Sequence, residues 1–284
     1  ANLGRWPLGH ILELPDHRIY RFALNDGTAE VAGNLYQSVA SVAGHLNDAV
    51  DVVRAIGATA ISATLAGTAP AADIYAEGVA HVNDDVGESY AYRIRRAMTA
   101  GAAHASAGSA AVLTVNLEAG DTVQVALDTT SNVTFTRNRF HQVLITAAPP
   151  TAGLAGVSPG VAAADRFYWS QVKGYAAVLA SGTLLAGLPV MAGITTAGSV
   201  ESTKRRLQAG GSTALVVTTG LAYAYLVDAG GNTTGMAILT TTALTTVGVD
   251  VTGGIAYNAP NVGMCVKANS TTQYALVDLD IAGW

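Results

Sequence analysis

Paired carboxylates are the residues here most capable of chemistry. Asp84 and Asp85 are adjacent, with Glu88 three positions on, and Asp278 and Asp280 stand two apart. Such pairs can share a proton in acid–base work or hold a hard cation such as Ca²⁺. The Asp84 cluster lacks the D-x-D-x-D-G run and closing Glu of a helix–loop–helix calcium site. Its plainer reading is a turn. Asp278 and Asp280 could share one face of a strand, where solvation accounts for them. The six histidines, His10, His17, His45, His81, His104 and His141, are scattered. None forms an H-E-x-x-H zinc motif.

No G-x-S-x-G elbow, G-x-G-x-x-G loop or Walker loop occurs. The pairs Gly210-Gly211, Gly230-Gly231 and Gly253-Gly254 lie between strand-like runs and read as tight turns. The single cysteine, Cys265, excludes an internal disulfide and any multi-cysteine metal site. Its apolar setting, Val262-Gly263-Met264-Cys265-Val266, marks it as a small buried hydrophobe. No spacing joins a nucleophile, a base and an orienting group. The expectation is a protein that is not an enzyme, with no cofactor and no metal.

Composition points the same way. Charged residues are 12% of the chain, where a soluble domain carries about 25%. A surface so poor in charge is sticky unless neighbours cover it, so packing into an assembly is expected. The net charge of −5 disfavours nucleic acid as a partner, because phosphate contacts need clustered Lys and Arg. The basic runs at Tyr92–Arg96 and Lys204-Arg205-Arg206 read as solvated strand ends or salt-bridge partners. The opening residues lack a basic region followed by an apolar core, so a cytoplasmic start is expected. The uncharged stretch from Gly174 to Val200 is broken by Gly182, Gly187, Pro189 and Gly193. That is strand–turn–strand, not a membrane span; a soluble chain with no membrane partner is expected.

These residues must be positioned by strands. The fold class expected is mainly β, with two β-rich domains of barrel or sandwich type, an extended N-terminal arm and one short helix. Residues 1–27 read as the arm, with a short strand at Arg18–Ala23. Residues 28–146 form the first domain. Its helix is expected between Tyr36 and Arg54, where Val39, Val42, Leu46, Val50 and Val53 recur at spacings of three and four. Strands follow at Ala60–Leu65, Gly78–Asn83, Ser89–Arg95, Ala111–Leu117, Thr122–Leu127, Asn132–Thr136 and His141–Ile145. Residues 147–164 carry Pro149-Pro150, Gly153, Gly156, Pro159 and Gly160 and read as a linker. Residues 165–284 are the all-β C-terminal domain. Its strands are expected at Arg166–Val172, Tyr175–Leu179, Leu184–Leu188, Ala214–Thr218, Ala222–Val227, Gly235–Thr240, Thr246–Val251, Gly263–Lys267 and Tyr274–Ile281. In the last of these, Leu276, Asp278 and Asp280 interrupt a simple alternation.

Two segments carry a resemblance. Arg166–Leu179 followed by Ser181-Gly182-Thr183, and Gly187–Val200 with its Thr195–Val200, resemble the V-x-G-x-A-x-V…G-T…G…T-x-G-x-V pattern of tailed-bacteriophage head decoration (cement) proteins. Gly9–Leu14, Tyr20–Thr28 and Val262–Val277 look similar to virion structural proteins of marine phages. The resemblance covers the first 30 residues and about half of the C-terminal domain. It implies a non-enzymatic protein on the capsid exterior, made in the host cytoplasm, with the major capsid protein as partner. It implies no active site. Self-association as a homo-oligomer, with a trimer favoured, is also expected. Trp6, Ile11, Leu12, Leu14 and Tyr20 are the candidate capsid or subunit anchors, because aromatic and aliphatic side chains dominate interfaces. The rival reading is a tail or fibre protein that could bind a host.

Overall fold

Alternating and β-branched stretches become strands nearly everywhere. The protein is represented by a computed structural model. It describes residues 6–67, 70–71, 73–96, 104–107, 110–202, 222–227, 233–239, 259–268 and 273–281. The first strands are β1 (Ile11–Glu13), β2 (Ile19–Leu24), β3 (Leu35–Gln37), β4 (Asp48–Ala49), β5 (Ala60–Leu65), β6 (Val79–Asp84) and β7 (Ala91–Arg93). Next come β8 (His104–Ala107), β9 (Ala110–Asn116), β10 (Asn132–Thr136), β11 (Leu144–Ile145), β12 (Leu154–Val157) and β13 (Phe167–Leu179). The last are β14 (Pro189–Ala192), β15 (Val200–Ser202), β16 (Ala222–Val227), β17 (Thr233–Leu239), β18 (Asn261–Lys267) and β19 (Tyr274–Asp280). The mainly β fold class is thus observed. No helix among the described residues is long and apolar enough to cross a membrane.

The chain divides into two compact units, one of residues 1–202 with 259–284 and one of residues 203–258. In the second, β16 and β17 form an antiparallel hairpin. The strands expected at Ala214–Thr218 and Thr246–Val251 lie outside the described residues.

The first unit holds two main cores. One is lined by β4, β5, β6, β7, β9 and β10, with Ile61, Leu113, Val133 and Phe135 fully buried. Here the sheet β4-β10-β6-β7 and the pair β5-β9 are joined by the bridges Val50↔Ala63 and Ile94↔Leu117. Pairing therefore runs in a circuit around this core, closed by one bridge at each join, while β8 continues the sheet beyond β9 as an edge strand. The other core lies under a ten-stranded sheet with the path β11-β3-β12-β13-β19-β18-β14-β15, to which β2 adds along β13 and β1 along β2.

Three expectations need correction. The helix between Tyr36 and Arg54 is absent: the segment forms β3, a three-residue 3₁₀ turn at Ala43–His45, and β4. Its apolar residues do not share a face, since Val50 is buried while Leu46 and Val53 are 40% and 61% exposed. The backbone at Gly44 presses on Gly67, where a Cβ would stand 3.0 Å from the Gly44 Cα. The valines are stiff at χ1 and suit extended chain. Residues 6–27 are not an arm, because β2 pairs with β13 from Ile19↔Lys173 to Leu24↔Phe167. Nor is 147–164 only a linker. It contains β12, whose four residues are all buried between β3 and β13.

Smaller differences have similar causes. Thr122–Leu127 is not a continuous strand; Val123 bonds to Ala58 and Gly57, and Leu127 to Arg54. Arg166–Val172 and Tyr175–Leu179 are one thirteen-residue strand. Leu184–Leu188 is turn, and the strand starts at Pro189.

A buried polar chain joins the loops below β10. Tyr75 Oη lies 2.5 Å from His45 Nδ1 and also meets Arg137. Burial pushes the Tyr75 phenol up to about 12 and lowers the Arg137 guanidinium. Removing the hydroxyl leaves buried partners less satisfied, which costs about 1–3 kcal/mol. Tyr75→Phe is expected to lower stability by that amount, read from the urea midpoint at constant slope.

Candidate docking face

Late in the chain, Tyr274–Ile281 alternates cleanly once its register is known. Ala275, Val277, Leu279 and Ile281 point into the core, so Tyr274, Leu276, Asp278 and Asp280 point out. The residues expected to break the pattern are its outward half. They meet outward residues of the neighbouring strands. Tyr175 on β13 opposes Asp278, which opposes Met264 on β18, which opposes Pro189 on β14. The next row is Ala177, Leu276 and Lys267, with a bulge at Val266. Leu179 pairs with Tyr274 at one end and Lys173 with Asp280 at the other.

This face is open, and its exposed apolar side chains lie among Asp278, Asp280, Lys173 and Lys267. Tyr175, Met264 and Tyr274 are 59%, 47% and 42% exposed. Single exposed hydrophobics are ordinary, whereas adjacent ones across several strands mark a contact surface. Asp278 and Asp280 make no ion pair with any described residue, although Lys173 stands opposite Asp280. Tyr274 is seated firmly. Its ring lies against Gly33, where a side chain would strike it, and Gly33 holds φ +78°. The Gly33 carbonyl in turn accepts the Leu179 N–H at 2.9 Å.

A second apolar surface lies at residues 51–57, where Val52, Val53 and Ile56 face solvent. Reciprocal 2.8 Å bonds between Arg54 and Leu127 fix this loop. Ser62 Oγ joins the Arg54 guanidinium to the Asp51 carboxylate. The helix expected over this stretch hid the surface from sequence reading.

The anchors chosen from sequence are dispersed. Trp6 stacks on His10 at 4.8 Å and is partly open. Ile11 is exposed, while Leu12 and Leu14 are half-buried. Tyr20 is buried, between Leu12 and Gln171 on the flanking strands, and is not available to a partner. Trp169 and Phe22 continue the Trp6–His10 stack inward.

The residues of catalytic type are not brought together. Asp84 caps the Asp85 N–H at 2.9 Å and Glu88 closes the same turn. No three His, Cys, Asp or Glu among the described residues could jointly hold a metal. His45 belongs to the buried Tyr75 chain, His17 lies 3.7 Å from Glu13, and burial lowers His141 to about 4. Cys265 is fully buried, and burial raises its thiol.

The inward and outward registers predict opposite outcomes. Leu279→Ala is expected to cost about 2–5 kcal/mol as a core truncation. Tyr175→Ser is expected to stay within about 0.5 kcal/mol of the parent protein. Denaturant unfolding of both variants checks the assignment. Comparison with known proteins finds no matching family model, no matching curated protein and no matching solved structure, so the likeness to decoration proteins rests on the quoted segments alone.

Proposed function

We propose that the chain is a non-enzymatic structural protein of a virion, a decoration protein that binds the outside of a phage capsid and stabilises it. The observation that carries this reading is the outward face on which Tyr175 and Met264 flank Asp278 and Tyr274 stands further along β19, all three exposed, on a sheet hydrogen-bonded across four strands. A surface held by backbone ladders is pre-organised, so little ordering entropy is lost when it docks. The low overall charge supports contact over a wide area, and stable contacts bury on the order of 1,600 Å². Copies of the chain would act together as a homo-oligomer, with a trimer favoured. Linking weak contacts in this way raises avidity by roughly 10²–10⁴. The major capsid protein is the partner, and no cofactor takes part.

Particles lacking the protein are expected to assemble but to release DNA at a lower temperature. Purified protein added back should restore the release curve. Protein carrying Tyr175→Ser and Met264→Ser should fold yet fail to restore it. Identical curves for depleted and restored particles, or label found only on the tail, would replace this reading with the tail or fibre role.

A further inference from the structure

Asn25–Asn34 and Ser158–Arg166 are two loops zipped face to face. Asn25 is fully buried; its Nδ2 donates to the Ala163 carbonyl at 2.8 Å and its Oδ1 accepts the Arg166 N–H at 2.6 Å. Asp165 N–H donates to Asp26 O, Glu30 N–H to Ala162 O and Gly33 N–H to Ser158 O, at 2.9, 2.8 and 2.7 Å. Beneath this zipper lies Glu30, 1% exposed, with both carboxyl oxygens buried and unpartnered.

The groups around Glu30 come from every packed element. Asp26 lies on its own loop and repels it. Tyr36 Oη on β3 accepts the Val31 N–H at 2.8 Å. Ser158 Oγ donates to the Gly160 carbonyl at 2.7 Å. Tyr168 Oη on β13 is buried and closes no hydrogen bond. Among the described residues, no Lys, Arg or His acts on Glu30. An ionised carboxylate in such a place is strongly disfavoured, and the group stays neutral by holding its proton.

We propose that Glu30 is a proton-operated latch: its neutral acid keeps the two loops zipped, and its ionisation opens them and unseats Tyr274. The route to Tyr274 is short, since Gly33 ends the same loop and supplies the surface on which the Tyr274 ring rests. The effect on association rests on the docking reading above, whereas the latch itself does not. Burial lifts the acid to about 7; the Ser158 and Tyr168 hydroxyls stand near it but close no hydrogen bond to its oxygens, so they offset little of that rise. The unfolded value is 4.5. The sign follows from proton counting. Between those values the closed form holds a proton that the open form lacks, so opening rises about tenfold per pH unit and then levels above pH 7. The closed state is most favoured in acid.

Hydrogen exchange of the Glu30, Gly33 and Leu179 amides, corrected for intrinsic rates, tests this on the full chain. Protection is expected to fall roughly tenfold per unit between pH 5 and 7. Glu30→Gln should remove that slope and raise protection at pH 8 by roughly 300-fold. Asp26→Asn should keep the slope but move its upper end to lower pH. A flat profile in the parent protein, or an unchanged slope in Glu30→Gln, overturns the latch. Light scattering at pH 5.5 and 8 separates the two claims. Association that weakens at pH 8 in the parent but not in Glu30→Gln supports both, whereas a confirmed slope with pH-independent association removes the docking face and leaves the latch.

Discussion

The thirteen-residue strand β13 changes partner along its length, and the principal sheet is organised around that change. From Phe167 to Lys173 it pairs with β2, and from Lys173 to Leu179 with β19. Both partners meet at Lys173, beside a register shift between Gln171 and Lys173. Such a bulge adds one unpaired residue and bends the strand. One strand thereby secures the early hairpin β1-β2, the late pair β18-β19 and, through Gln171↔Val157, the strand β12.

The outward face and the zipped loops are both products of that arrangement. β13 sets Tyr175 beside Asp278 through its second half, and through Tyr168 it places a buried phenol beside Glu30. A buried carboxylic acid is costly to keep and simple to replace by an apolar residue. Its position at a loop junction, and not in a hydrophobic core, is what ties its protonation to the placement of an exposed ring.

Much of the strand content was legible because local pattern and tertiary packing agree. Ala60–Leu65, Asn132–Thr136 and Ala222–Val227 fall where their alternation and β-branched residues place them. The 36–54 segment was misread because valines at spacings of three and four imitate a helical stripe. Only the close approach at Gly44 and the exposure of Val53 reveal otherwise. β12 was hidden by its flanking prolines and glycines, and its Leu-Ala-Gly-Val core is too short to show a period. The docking face had a readable signal in Tyr274–Ile281, but the inward parity of that run is set by its pairing in the sheet, on one side with β13, which is far away in sequence. Glu30 was invisible for the same reason. Nothing local distinguishes a buried glutamate from a solvated one.

The pairing of β13 with β19 also bears on biosynthesis. Residues 180–273 must be made between the two strands, which takes on the order of ten seconds at typical elongation rates. Throughout that interval the second half of β13 has no β19 to cover it, and Val178 and Ala176 lack the Ala275 and Val277 side chains that finally stand opposite them. Contacts so distant in sequence form slowly. The nascent chain therefore presents a bare apolar strand on the ribosome, the kind of segment that chaperones occupy and that neighbouring nascent chains can capture.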